Sequence, residues 1–365
     1  MPDYMAFNCS TLRTRPTMLS VNQLTGFGVG ATAVGYTYQI AVAHTTSPFI
    51  SVYPWSSAGF GTKFADPSTL GPSNGKKVAF SPAGDAIATV HAVPPYIVAY
   101  PWSSAGFGTK FTDPSTLPGG ASNDVAFSPV GDAVAVAHDV SPYIAAYSWS
   151  TSGFGTKFAD PSTLPASYCN GIAFSPNGDA VAVAHDITPF ISAYPWSGSG
   201  FGTKFANPST LPAGTGLGIA FSPVGDAIAV GHSTSPYISA YPWSGSGFGT
   251  KFTNPGTLPA GTGNGVAFSP AGDAIAVAHG TAPFISAYPW SGAGFGTKFT
   301  NPSTLPPSTA YKLAFSPMAT EIAVVHVLTP FISAYPWSGS GFGTKFADPT
   351  TLPASTGNGV AFNKL

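Results

Sequence analysis

Seven histidines recur at a constant spacing of 47 residues, and each one ends a short apolar segment such as AIAVAH. Their positions are His44, His91, His138, His185, His232, His279 and His326. Imidazole binds metals and titrates near neutral pH, so a metal site or an acid–base site is the first chemistry to consider. If these segments are the second strands of radially arranged sheets, neighbouring histidines lie roughly 10 Å apart, because adjacent strands are ~4.8 Å apart. Zinc requires ligands at about 2.0–2.1 Å, so we expect no metal at these histidines and no cofactor.

Catalytic residues do not stand out from the repeated background. The chain contains a single glutamate, Glu321, and no Ser-His-Asp or Cys-His order is distinct from the repeat. A residue present in seven equivalent copies is a poor catalytic candidate, because catalysis requires one asymmetric arrangement of groups. The sequence therefore predicts a protein that is not an enzyme.

The repeat that positions these residues has 47 residues and seven copies. One copy, PFISAYPWSGSGFGTKFANPSTLPAG, starts at Pro189, and each copy carries one Trp, one His and one GFGTKF lysine. Four short segments per copy, GVAFSP, AIAVAH, PFISAYPW and GFGTKFA, are bounded by Gly, Pro and Asp and read as strands. Alternation places Ile40, Val42 and His44 on one face of the second strand, and Ala41 and Ala43 on the other. Neither face is charged, which favours sheets buried on both sides: an all-β, seven-bladed β-propeller.

The beginning of each repeat resembles that of WD-repeat propellers. Residues 265–279, GVAFSPAGDAIAVAH, are similar to the first two strands of that family, and the resemblance covers residues 37–365. The family's Trp-Asp ending is replaced by Tyr-Pro-Trp, and its Gly-His dipeptide is missing. In that family a polar residue near the histidine position joins a hydrogen-bond network within the blade. The resemblance therefore implies a structural role for the seven histidines and weaker blade packing below pH ~6.

The two ends of the chain predict how the ring closes. Residues 37–44 enter the repeat at a second strand, and NGVAFNKL (358–365) leaves it after a first strand. We expect the C-terminal strand to complete the first blade, which removes free strand edges. The alternative is that GFGVGATA (26–33) supplies that strand.

Composition excludes several classes of function. Only 7% of the residues are charged and the net charge is −1, which argues against a nucleic-acid or anionic membrane surface. No apolar stretch reaches the ~20 residues of a membrane span, and the N-terminus lacks the pattern of a secretory signal. The two cysteines, Cys9 and Cys169, are too few for a disulfide framework and are expected to be unpaired thiols.

Variation between the copies is concentrated in two rings of residues around the predicted central opening. The first ring precedes each first strand and consists of Lys76, Asn123, Asn170, Leu217, Asn264, Tyr311 and Asn358. The second ring consists of Lys77, Asp124, Gly171, Gly218, Gly265, Lys312 and Gly359. The variable loops between second and third strands lie on the same face. Because loops on rigid scaffolds carry binding residues, we expect this face to bind a partner, although drift in long loops is an alternative.

The near-identical PWSGSGFGTKF-type repeats are also similar to propeller proteins encoded by tailed phages. This resemblance implies a virion component in head decoration, tail or fibre, with other virion or assembly subunits, or a host surface glycan, as partners. Residues 1–36 would form an N-terminal arm or anchor that uses Met5, Phe7, Arg13 and Arg15, ahead of the propeller of residues 37–365. The chain would be made in the host cytoplasm and located in the virion. The alternative function is a glycan-binding, lectin-like propeller, because repeated aromatic rings can stack on sugars.

Overall fold

The computed structural model describes residues 38–364, which form seven four-stranded antiparallel sheets, the blades of a propeller. The inner strands are β4 (Gly75–Phe80), β8 (Ser122–Phe127), β12 (Cys169–Phe174), β16 (Gly216–Phe221), β20 (Gly263–Phe268), β24 (Ala310–Phe315) and β28 (Gly357–Lys364). The second strands are β1 (Tyr38–His44), β5 (Ala86–His91), β9 (Ala133–His138), β13 (Ala180–His185), β17 (Ala227–His232), β21 (Ala274–His279) and β25 (Glu321–His326). The third strands are β2 (Ile50–Ser56), β6 (Ile97–Ser103), β10 (Ile144–Ser150), β14 (Ile191–Ser197), β18 (Ile238–Ser244), β22 (Ile285–Ser291) and β26 (Ile332–Ser338). The outer strands are β3 (Gly59–Phe60), β7 (Gly106–Phe107), β11 (Gly153–Lys157), β15 (Gly200–Phe201), β19 (Gly247–Phe248), β23 (Gly294–Phe295) and β27 (Gly341–Phe342).

The C-terminal strand closes the ring, as the sequence predicted. Strand β28 pairs with β1, so blade 1 has the order β28-β1-β2-β3 and combines both ends of the described chain. Each inner strand contacts the inner strands of both neighbouring blades, including β28 with β4 and β24. Gln39 and Asn363 lie at the seam, where Gln39 Oε1 accepts hydrogen bonds from Asn363 Nδ2 (2.8 Å) and Trp102 Nε1 (2.9 Å). The first bond ties the closing strand to β1, and the second ties β1 to blade 2.

Small residues of one blade pack against large residues of the next. Ala133, Ala135 and Ala137 in blade 3, for example, contact Val181, Val183, Tyr194 and Trp196 in blade 4. Each second strand is buried along its whole length, which confirms the prediction that both faces of each sheet are covered. The seven tryptophans are only 0–8% exposed, and each meets phenylalanine rings edge-on. Such aromatic pairs stabilise a core by about 0.5–1.5 kcal/mol beyond their burial.

The outer strands are shorter than the predicted GFGTKFA segment. In six blades they contain two residues, whereas β11 in blade 3 extends from Gly153 to Lys157. The third strands of those six blades carry a proline at the position of Ser148, as at Pro54 in blade 1. Proline has no N–H to donate to a neighbouring strand, so the pairing ends early. Ser148 restores that N–H, and the ladder continues to Lys157.

The seven histidines are fully buried and serve the structural role that the sequence predicted. In five blades the ring Nε2 lies 3.0 Å from a serine Oγ on the third strand of the same blade, as in His185 with Ser192. His91 and His138 lack this partner because Val98 and Ala145 replace the serine. Burial lowers the pKa of six histidines to about 4, and it lowers the pKa of His138 as well.

The histidine–serine bond makes a reciprocal prediction. Ser192→Ala should reduce the free energy of unfolding by about 1–3 kcal/mol, because His185 Nε2 would remain buried without a partner. Ala145→Ser should raise it by about 1 kcal/mol by giving His138 the missing partner. Urea titrations of both variants and the parent protein measure these changes. If both variants changed the free energy of unfolding equally and in the same direction, the histidine–serine hydrogen bond would not be the cause.

The other repeated charged residues are engaged in local structure. The GFGTKF lysines pair with the carboxylate or amide three residues later, as Lys63 does with Asp66 and Lys204 with Asn207. The turn aspartates accept a hydrogen bond from a serine, as Asp85 does from Ser81 Oγ (2.7 Å). Cys169 is buried and unpaired, and burial raises the pKa of its thiol. Among residues 38–364, no helix is long and apolar enough to cross a membrane.

Candidate functional site

Every inner strand contains a β-bulge at its first-ring residue. In blade 2 the pairing skips from Gly75 to Lys77, which leaves Lys76 without a partner on β5, and the same shift occurs in the other six blades. A bulge adds one unpaired residue and reorients its side chain, and bulges are frequent beside active sites. The first-ring residues therefore have no partner on the second strand, and their side chains lie at the mouth of the central channel.

Asparagines of the first ring link consecutive blades. Asn123, Asn170, Asn264 and Asn358 each donate a hydrogen bond of 2.8–3.0 Å from Nδ2 to the first backbone carbonyl of the next inner strand. Lys76, Leu217 and Tyr311 replace asparagine at the remaining three positions. Four residues of the first ring thus link neighbouring blades, and the other three differ from asparagine and from one another in chemistry.

The first-ring residues line one cavity of about 460 Å³ at the channel mouth. Eight residues predicted from the sequence lie around it: Lys76, Asn123, Asn170, Leu217, Asn264, Tyr311, Lys312 and Asn358. Thr45 and Asn74 complete the lining and were missed, because they belong to loops whose side-chain direction no pattern specified. A volume in the range of about 300–1,000 Å³ suits a small molecule.

Lys312 is the most unusual group in this cavity. Its Nζ donates hydrogen bonds of 2.8 Å to the backbone carbonyls of Leu217 and Asn264, which lie in blades 5 and 6. Burial, which is the largest cause, and the nearby charge of Lys77 together lower the pKa of Lys312 to about 8, and the charge of Asp124 opposes the change. Lys312 therefore has a substantial neutral fraction near pH 8, unlike an ordinary exposed lysine.

The second ring carries three charged side chains, and at three of its four glycines a side chain would be crowded. A Cβ on Gly265 would lie 2.8 Å from Tyr311 O and 3.2 Å from Lys312 Cδ, and one on Gly359 would lie 2.7 Å from Lys77 Cα. Asp124 accepts backbone N–H bonds from Val125 (2.8 Å) and Ile172 (3.3 Å), and its Oδ1 lies 3.9 Å from Lys77 Nζ. The glycines allow neighbouring strands to approach closely and allow the lysine stems to pass over them. Lys77 and Asp124 are thus held near Lys312, which lines the cavity.

Two aspartates of the loops between second and third strands add negative charge at the rim. Asp186 Oδ1 accepts a hydrogen bond of 2.6 Å from Asn170 Nδ2. Burial lowers the pKa of Lys76, and the negative charge of Asp139 opposes this change. Asp139 Oδ1 is buried without a hydrogen-bond partner among the described residues. Lys76 Nζ donates to Asn123 Oδ1 at 2.8 Å. The predicted arm residues Met5, Phe7, Arg13 and Arg15 lie outside the described residues.

A larger cleft of about 630 Å³ lies on the opposite face, between blades 2 and 3. Its carboxylates, Asp85 and Asp132, are engaged with Ser81 and Ser128 within their own turns. The same serine–aspartate turn recurs in other blades, so the polar groups of this cleft have a structural role that is not specific to it. The channel mouth, with its unrepeated lysines, is the stronger candidate site.

No protein-family model matches the chain, and no curated protein sequence matches it either. Solved structures match its fold over most of their length. A provisionally named 6-phosphogluconolactonase from Bacteroides fragilis has a TM-score of 0.72 at 12% identity, covering 91% of this chain and 99% of its own. The periplasmic gluconolactonase of Pseudomonas aeruginosa has a TM-score of 0.71 at 14% identity, covering 89% and 99%. A Lactobacillus plantarum protein has a TM-score of 0.70 at 16% identity, covering 90% and 100%. At this identity the likeness shows the fold alone.

These matches correct the functional expectations. The expectation of a phage virion propeller is wrong, because the similar structures are bacterial proteins and two of them bear lactonase names. The expectation that the protein is not an enzyme is wrong for the same reason, since lactonases are hydrolytic enzymes. The repeated Trp and Tyr rings, on which the lectin alternative relied, are buried in the blade cores and cannot stack on a sugar. The finer resemblances to WD-repeat and phage propellers are not shown by these structures.

Proposed function

We propose that the protein is a hydrolase of small cyclic esters of the sugar-lactone class and acts at the channel mouth. The observation that carries the proposal is Lys312, an amine with a lowered pKa in a cavity lined by amides. The names of the similar structures support the choice of reaction. The WD-like beginning of each repeat supports the propeller but suggests no substrate.

The hydrogen bonds of Lys312 suit a general base. A neutral amine has two N–H groups and one lone pair, and the two carbonyls of Leu217 and Asn264 account for both N–H groups. The lone pair is then free to accept a proton from a water molecule in the cavity. The hydroxide so formed attacks the ester carbonyl. The ring C–O bond then breaks, and its oxygen takes the proton back from Lys312, which gives a hydroxy acid and restores the neutral amine. A base whose pKa is near the working pH is the most effective in such a step.

Amide and ammonium groups around the cavity are placed to stabilise the oxyanion formed on attack. Asn123, Asn264 and Asn358 each use one N–H in linking the blades, which leaves a second N–H on the same nitrogen. The ammonium of Lys76 lies beside Asn123 on the same side of the ring. Fixed donors of this kind are often the largest contribution to catalysis of acyl transfer.

Lys312→Met should lower kcat/KM for glucono-δ-lactone by at least about 100-fold, because it removes the base while keeping the apolar stem. The assay is titration of released acid at constant pH, with spontaneous hydrolysis subtracted. In the parent protein, kcat/KM should rise with pH and level off above about pH 8, as the neutral amine accumulates. Lys204→Met, a change on the outer edge of blade 4, is the matched control and should leave the rate unchanged. Equal rates for Lys312→Met and the parent protein would refute the proposal.

A further inference from the structure

The charges around the channel mouth are balanced. Three lysines, Lys76, Lys77 and Lys312, face three aspartates, Asp124, Asp139 and Asp186. Together these six residues make up the charged groups of the two rings and their loops. The site therefore carries no excess positive charge, and it becomes negative when Lys312 is neutral. An anionic substrate gains little from such a field.

The three ammonium groups are also committed to protein acceptors. Lys76 Nζ donates to Asn123 Oδ1, and the charge of Asp139 lies nearby. Lys77 is paired at 3.9 Å with the buried carboxylate of Asp124. Lys312 Nζ is occupied by two backbone carbonyls. No arginine occurs among residues 38–364, so the bidentate side chain that most often holds a phosphate is missing from the described site.

The remaining surface suits hydroxyl groups. The cavity presents amides at Asn74, Asn123, Asn264 and Asn358, a hydroxyl at Thr45 and a phenol at Tyr311. Leu217 supplies an apolar patch on the same ring for the carbon face of a sugar.

We infer that the site takes an uncharged, polyhydroxylated lactone and discriminates against its phosphorylated counterpart, with Asp139 as the residue that sets this preference. The inference rests on the proposed function and adds the substrate class. Asp139 acts through its charge, which balances that of Lys76 and repels an approaching phosphate.

The test compares kcat/KM for glucono-δ-lactone and 6-phosphoglucono-δ-lactone. The parent protein should prefer the unphosphorylated lactone by at least tenfold. Asp139→Asn keeps the shape of the side chain and removes its charge, so it should shrink that preference by at least tenfold. Asp66→Asn, which makes the same change in net charge beside Lys63 on the outer edge, is the control and should leave the preference unchanged. An equal response to both variants would overturn the role of Asp139.

Failure of the inference can be distinguished from failure of the proposed function. If the protein hydrolyses both lactones equally well, or favours the phosphorylated one, the inference is overturned and the hydrolase proposal stands. If it hydrolyses neither, the hydrolase proposal fails, and calorimetric titration with gluconate and 6-phosphogluconate decides the inference. Tighter binding of gluconate would support the argument from charge. Tighter or equal binding of 6-phosphogluconate, or no binding of either, would overturn it.

Discussion

Removal of residues 357–365 is expected to abolish the folded propeller. The deletion takes away β28, the inner strand of blade 1, and with it the pairing to β1 and the contacts to β4 and β24. It would leave the inner edge of β1 unpaired, and such unpaired edges promote aggregation. A typical domain is stable by only about 5–15 kcal/mol, which the loss of an entire central strand should exceed. Circular dichroism, thermal unfolding and gel filtration measure the outcome.

The seam offers two controls for this deletion. Asn363→Ala removes only the bonds to Gln39 Oε1 and Gly84 O and should lower the free energy of unfolding by about 1–3 kcal/mol. A chain that lacks residues 1–30 keeps all the described strands and should fold. A synthetic peptide of residues 357–365 should restore the folded state of the truncated chain. A truncated chain with the native melting temperature would show that β28 is dispensable.

A second large effect is expected on acidification between pH 6.5 and pH 4. The ordinary pKa of histidine is 6.5, and burial lowers it to about 4 in six of the seven blades of the folded protein. Within this window the unfolded chain binds more protons than the folded one, so stability is complete above pH 6.5 and falls as the pH decreases. Each of these histidines accounts for about 3 kcal/mol over the window. The summed free energy of the six histidines exceeds the stability of an ordinary domain, so we expect the protein to unfold before the pH reaches 4.

Urea titrations at a series of pH values from 8 to 4.5 measure this dependence. The slope of unfolding free energy against pH should correspond to about six protons near pH 5. His279→Gln should reduce that slope by about one proton, since it removes one of the groups involved. A flat profile from pH 8 to pH 5 would contradict the assignment.

The period of 47 residues and the alternation of side chains were sufficient to predict the blades, their burial on both faces and the closing strand. The length of the outer strands was not predicted, because it depends on whether position 148 or its equivalents can donate an N–H. The two rings were predicted correctly to surround the central opening, since strand direction alone places them there. Binding at these rings remains a prediction.

The chemistry of the site could not be derived from the pattern. Lys312 bonds to Leu217 O, 95 residues away, and such a contact between blades leaves no local trace in the chain. Its lowered pKa depends on burial and on Lys77, which comes from another blade. Side-chain types placed Lys312 in the second ring but gave no reason to expect that backbone carbonyls would hold its amine.

The position of the first ring on seven bulges has an evolutionary consequence. A residue outside the ladder can be exchanged without loss of a strand hydrogen bond, and the neighbouring blades continue to hold the ring closed. Leu217 and Tyr311 already stand where other blades have asparagine. Single codon changes at these positions can therefore alter what the cavity recognises while the fold is inherited intact. In such a scaffold new specificities are reached in small steps, each of which passes through a folded protein.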